Sequence, residues 1–176
     1  MKRVPWRVLI VDGYNVLNAR RAVTGAEQLA DARERLVADL QNYAGYTAQQ
    51  VTVVFDAWLS DRAERSEEDR GPVRVVYTRK GETADRYIEH ICDEYAPKVE
   101  MREMELRVAT SDQLEQTIVL GRGAVRLSSR ELLREMGEVS AEGARRTGAG
   151  RTRITVEDRI PRETLERLRR LSRGED

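Results

Sequence analysis

Cysteine, histidine and phenylalanine each occur only once in this chain. The lone Cys92 excludes an internal disulfide framework, and with the single His90 it leaves no Cys/His zinc spacing. Cys92 falls in a helical pattern with Ile88, Ile91 and Tyr95, which reads as a core position rather than a nucleophile. His90 has no Ser or Cys partner in a triad arrangement. No apolar run approaches the length of a membrane span, and the short strand after Lys2 and Arg3 is no signal-peptide core. The expectation is therefore a cytoplasmic protein with no membrane partner and no small-molecule organic cofactor. Charge of one sign is also missing: 31 basic residues balance 31 acidic ones, so the net charge does not advertise a nucleic-acid binder. At 176 residues the chain is long enough for one domain with a sizeable core and a small appendage.

Acids at the ends of apolar runs are what the sequence does have. Val8-Leu9-Ile10-Val11 cannot alternate between core and water, which marks a central parallel strand buried on both faces. It ends in Asp12-Gly13-Tyr14-Asn15. Val51 to Phe55 ends in Asp56, and Leu106 to Ser111 ends in Asp112. Val73 to Tyr77 leads through Thr78-Arg79-Lys80-Gly81 to Glu82-Thr83-Ala84-Asp85. In a parallel sheet those ends share one edge, where ligands bind. Converging carboxylates repel one another unless a cation neutralises them, and oxygen-only donors favour Mg2+ or Mn2+ over zinc. The alternative is a set of independent turn-capping aspartates.

Strands and helices alternate along the chain, with no internal repeat. Glu27 to Tyr46 reads as an amphipathic helix with Leu29, Ala32, Leu36, Leu40 and Tyr43 on one stripe. Ser60 to Gly71 is almost wholly polar, a loop or short solvated helix. Thr83 is the expected N-cap of a helix that Pro97 closes. A short helix is expected from Asp112 to Leu120, then a strand over Ala124 to Leu127. Ser128 and Glu131 form a capping box for a helix to about Glu138. Pro161 starts a last helix to Arg173. The fold expected is α/β, a mostly parallel sheet with helices on both faces, over residues 1–140. Residues 141–176 follow as a basic loop and C-terminal helix extending the same domain.

Between Arg145 and Arg173 the basic residues are all arginine, a fork of donors suited to phosphate. The final helix also fits a solvated face with i to i+4 ion pairs such as Glu163 with Arg167. Arg145-Arg146-Thr147-Gly148-Ala149-Gly150-Arg151 looks instead like a flexible basic loop that orders on RNA.

The ordered set Val-Asp-Gly-Tyr-Asn-Val at 11–16, Val-Phe-Asp-Ala at 54–57, Glu-Thr-Ala-Asp at 82–85, Thr-Ser-Asp-x-x-Glu-Gln at 110–116 and Gly-Ala-x-Arg-x-Ser at 123–128 resembles the NYN nucleases of the PIN-like superfamily. Within them it is most similar to the YacP-like bacterial proteins, over roughly residues 6 to 140. The resemblance implies a three-layer PIN-like fold and a divalent-metal-dependent endoribonuclease. It also implies, for some members, ribosome-associated cleavage of translated mRNA, and so RNA and the ribosome as partners. Gln113 stands where many relatives in the wider superfamily carry a further acid, which leaves one ion or two open.

On phosphodiester chemistry, Asp12, Asp85 and Asp112 are the expected metal ligands. Asp56 is expected to support them or to position Asn15. Asn15 either holds a metal water or phosphate oxygen, or simply occupies a left-handed turn after Gly13. Thr110 and Ser111 can hydrogen-bond a carboxylate or phosphate. Glu82 and Glu89 lie one turn either side of Asp85 and either face the same ion or point to solvent. Arg79 and Lys80, ahead of a helix N-terminus, are a phosphate grip that Arg122 and Arg126 extend. Arg145, Arg146, Arg151 and Arg153 are the expected docking arginines. Two rivals remain: a phosphatase, which would usually place a second acid where Tyr14 stands, and a non-catalytic RNA- or ribosome-binding module.

Overall fold

A computed structural model of the chain describes residues 5–20, 26–57, 63–111 and 123–149. Its centre is β1 (Trp6–Asp12), in which Leu9, Ile10 and Val11 are wholly buried, as an unbroken aliphatic run requires. β1 pairs in parallel with β2 (Gln50–Phe55) on one side and with β5 (Met104–Ala109) on the other. β4 (Val73–Tyr77) continues the parallel sheet beyond β2, and β6 (Val125–Leu127) continues it beyond β5. β3 (Ser66–Arg70) closes the far edge antiparallel to β4, giving the order β3-β4-β2-β1-β5-β6. The chain builds outward from β1 in one direction and then returns to its other side. The crevice between the carboxyl ends of β1 and β5 is thus a topological switch point, where α/β sheets bind ligands.

Helices cover both faces. α1 (Gly13–Ala19), α2 (Ala26–Thr47) and α4 (Ser129–Ala149) supply Val16, Leu17, Leu36, Leu40, Tyr43, Leu132 and Met136 to a core over Leu9, Val11, Val53 and Phe55. On the other face α3 (Ala84–Glu100) packs Tyr87, Ile88, Ile91 and Cys92 on Val8, Ile10, Val54 and Val76. Each such aliphatic side chain contributes about 1.5–3 kcal/mol by leaving water. Arg107 of β5 ties the first layer together: it donates to the Tyr43 hydroxyl (3.1 Å) and to Glu135 of α4 (2.7 Å). Cys92 is a core residue, as its helical spacing implied. Among the described residues no helix is long and apolar enough to cross a membrane.

Four expectations need correction. The polar stretch before Gly71 is not helix or loop throughout, since Ser66-Glu67-Glu68-Asp69-Arg70 is strand β3. Its hydrogen bonds and cross-strand charges, such as Arg74 with Asp69 at 3.2 Å, hold it without an apolar face, and charge protects the sheet edge. Gly71, at φ 67°, makes the turn into β4. Pro97 does not close α3: it forfeits one backbone bond, but its carbonyl still accepts from Met101 N–H at 3.0 Å. Residues 13–19 form helix α1, where the sequence reads as a loop between the first strand and the helix from Glu27. α4 does not stop near Glu138. It runs through Gly137 and Gly143 on open surface, and so the expected basic loop is helical from Arg145 to Ala149. There Glu142 pairs with Arg146 (3.1 Å) and Arg145 (3.9 Å).

The chain forms two compact units, residues 1–140 and 141–176. The expected helices at 112–120 and 161–173 lie outside the described residues.

Candidate active site

Asp12 is the last residue of β1 and the N-cap of α1. Its Oδ1 accepts the Asn15 backbone N–H at 3.0 Å, so the strand-to-helix turn is built on the acid itself. Close packing makes the turn possible: a Cβ at Gly13 would lie 2.3 Å from Phe55 Cε1. Asp12 is only 7% exposed. Burial pushes its carboxyl up from 3.8 to about 6. The Asn15 bonds oppose the rise, while the charges of Asp85 and then Asp56 add to it. The protein thus holds a carboxylate in a place that disfavours its charge.

Asp85 sits in the first turn of α3, capped by Thr83, which accepts the Arg86 N–H at 3.3 Å. A helix N-terminus favours an anion there. Asp56 follows β2 and accepts the Thr78 hydroxyl at 3.3 Å. The same hydroxyl accepts the Ala57 N–H at 2.9 Å. Strand alternation explains the grouping. Val8, Ile10, Val54 and Val76 face α3, so Asp12, Asp56 and Thr78, next in step, lie on that side too.

Asn15 is not in a left-handed turn, and Asp56 does not position it. It is helical, and it spans the switch point to β5 and α4. Its Oδ1 accepts the Ser111 N–H and the Ser129 hydroxyl, both at 3.2 Å, and its Nδ2 meets Thr110 Oγ1 at 3.5 Å. Thr110 and Ser129 are buried, and Ser129 N–H donates in turn to Ser111 Oγ at 3.3 Å. Thr78 and Ser129 were missed as site-building residues. Ser129 was visible only as part of a helix start, and that reading holds too: Glu131 and Ser128 exchange the two capping-box bonds, at 2.7 and 3.2 Å.

Glu82 is held by Arg65 in a two-pronged ion pair, and Arg65 also stacks over Tyr87 at 4.8 Å. Arg79 and Lys80 are exposed on the turn before α3, where Gly81 adopts φ 80° and Glu82 N–H bonds Arg79 O at 3.0 Å. Arg126 is exposed on edge strand β6, and Arg145 and Arg146 are exposed on α4. Asp112, Arg122, Arg151 and Arg153 lie outside the described residues.

The donor chemistry fits a hard divalent cation: Asp12 and Asp85 offer oxygen only, and Asp12 is short of compensating charge. Among the described residues no group of three acidic, His or Cys side chains could hold a metal ion.

Residues 9–173 match the YacP-like NYN domain family. The chain is 37% identical over 141 residues to the uncharacterized protein YacP of Bacillus subtilis (strain 168), covering 79% of this chain and 80% of that one. It is also similar to two crystal structures of Rae1 (YacP) from Bacillus subtilis. One, of a tryptophan-to-leucine mutant, matches with a TM-score of 0.68 at 34% identity, over 87% of this chain and 89% of that one. The second structure gives 0.65 at 32% identity, over 95% of each.

Proposed function

Because the chain belongs to the YacP-like NYN domain family, a nuclease-type RNA-handling fold, we propose that it is a divalent-metal-dependent endoribonuclease that cleaves single-stranded RNA and meets mRNA on the ribosome. One observation carries this reading. Asp12 is a buried carboxylate, raised to about 6 beside Asp85 and Asp56, at the switch point of a parallel sheet. Such a group costs stability unless a cation uses it.

Asp12 and Asp85, with Asp112, would hold a Mg2+ or Mn2+ ion. When bound, the ion would lower the pKa of a water and offset charge on the phosphate oxygens. The chain's own residues do the rest. The N-cap bond fixes the Asp12 carboxylate. Asn15 acts as a positioning residue, locking the start of α1 to Ser111 and Ser129 across the crevice. The exposed Ser111, Arg79, Lys80 and Arg126 would meet phosphates along the rim. Single strands suit this edge, because a shallow rim does not reach into the deep groove of duplex RNA. The arginines at 145, 146, 151 and 153 would dock ribosomal RNA through its phosphates.

A turnover assay with Mg2+ on single-stranded RNA, duplex RNA and a small phosphomonoester tests the activity. Metal-dependent cutting of the single strand alone is expected. Phosphomonoester hydrolysis would favour a phosphatase, and RNA binding without turnover would favour a non-catalytic module. Activity that survives in any two of Asp12→Asn, Asp85→Asn and Asp112→Asn would overturn the site.

A further inference from the structure

The carboxyl edge of the sheet has a second lip. Leu9, Val11, Val53, Phe55 and Val75 face α2, so Tyr77, next in step at the end of β4, lies on that side, opposite the carboxylates. Its ring stacks on Phe55 (centroids 5.6 Å apart, planes at 24°), and Phe55 meets Tyr14 edge-on at 5.4 Å. Arg33 of α2 bridges the two tyrosines. Its guanidinium donates to the Tyr14 hydroxyl at 3.3 Å and lies 5.8 Å from the Tyr77 ring centre. Tyr14, Arg33 and Tyr77 are all half-buried, so this row of π-faces with a planar cation reaches the surface. Phe55 alone is wholly buried and backs the others.

The row is adjacent to the acids through the backbone itself. Tyr14 lies between Asp12 and Asn15, Phe55 precedes Asp56, and Tyr77 precedes Thr78, the donor to Asp56. β4 lies two strand spacings from β1, about 10 Å. A strand of RNA crossing the edge would thus have its backbone on the α3 side and a base on the α2 side. The nearby acids Glu34 and Glu68 are neutralised by Arg70, at 2.8 and 3.1 Å, so they present no bare charge to a polyanion. Rings and guanidinium planes of this kind take bases of single strands without needing a particular sequence.

We propose that Tyr14, Arg33 and Tyr77 form a stacking subsite for one base of the single-stranded RNA whose phosphate lies at Asp12 and Asp85. The subsite rests on the nuclease reading for the position of that phosphate. It would make the enzyme require an unpaired base beside the cleaved bond and tolerate any of the four.

The test uses the full-length Asp85→Asn protein, so that RNA is bound but not cut. The probe is a short oligouridylate, alongside the same chain with one abasic ribose placed at each position in turn. One abasic position should weaken binding roughly 5- to 100-fold while the rest change it little. Tyr77→Leu should remove that difference, and Tyr77→Phe should retain it. Arg33→Leu, on the half-buried surface, should reduce it independently should Tyr77→Leu fold poorly. Equal binding of all the abasic chains, or an undiminished difference in both leucine variants, would overturn the subsite. If the wild-type protein cuts no RNA yet the abasic effect persists, the subsite stands and the nuclease reading fails. Normal cutting with no abasic effect is the reverse.

Discussion

Replacing Asp12 by Asn should stabilise the metal-free protein while abolishing its activity. Burial raises the Asp12 carboxyl from 3.8 to about 6. The folded state therefore binds its proton more tightly than the unfolded state does, and the protein loses stability as pH rises through that window. The difference amounts to about 3 kcal/mol above about pH 7, roughly half of that near pH 5, and almost nothing below about pH 3.5. Asn keeps an oxygen for the Asn15 N–H but brings a buried amide donor, which costs about 1–2 kcal/mol if it finds no acceptor. The net gain at neutral pH is then about 1–2 kcal/mol, or roughly 2–8 °C in Tm for a chain of this size. Thermal melts in EDTA at neutral and acid pH measure it, and added Mg2+ should raise the wild-type Tm more than that of the mutant. Two results would refute the reasoning: a mutant less stable than wild type in EDTA at neutral pH, or an advantage that does not shrink toward pH 4. Either would mean that Asp12 is comfortable as a carboxylate without an ion.

Gly13→Ala should cost about 1–3 kcal/mol in urea unfolding, because the new Cβ would press on the buried Phe55 ring at 2.3 Å. Asn15→Ala should destabilise by about 1–3 kcal/mol by leaving the buried Ser129 hydroxyl and the Ser111 N–H without their acceptor, and it should lower cleavage further than the stability loss accounts for. Exchange of all four arginines at 145, 146, 151 and 153 for glutamine should weaken ribosome co-sedimentation and flatten its salt dependence by up to about four phosphate contacts. Hydrolysis of a short oligonucleotide at saturating concentration should persist. Ribosome binding equal to wild type would move the docking surface elsewhere.

Sequence periodicity exposed the elements with strong apolar patterns. β1, β2, β4 and β5 stand out as short aliphatic runs, and α2 and α3 as stripes of Leu, Ile and Tyr. β3 escaped because its reasons are entirely tertiary: no residue in Ser66-Glu67-Glu68-Asp69-Arg70 is apolar, and only pairing to β4 makes it a strand. α1 escaped because Gly13 and Asn15 are turn formers by propensity, whereas here the contact with Phe55 demands the first and three distant partners employ the second. The length of α4 was hidden by Gly137 and Gly143, which weaken a helix without ending it. In the site, the carboxylates were legible because a charged residue at the end of a buried run is anomalous in one dimension. Thr78 and Ser129 were not, since small hydroxyl residues are common and only the fold brings them to Asp56 and Asn15.

The clasp at Asn15 joins residue 15 to partners at 110, 111 and 129, near opposite ends of the described chain. Synthesis runs from the N-terminus, so the early carboxylates emerge long before the segment that fixes their neighbour. A partial chain that ends before Ser129 lacks the α4 half of this clasp and keeps only the bonds to Thr110 and Ser111. Contacts so distant in sequence form late, after the loops between them have closed. The edge that carries Asp12 is therefore completed by a residue from the last described helix, α4.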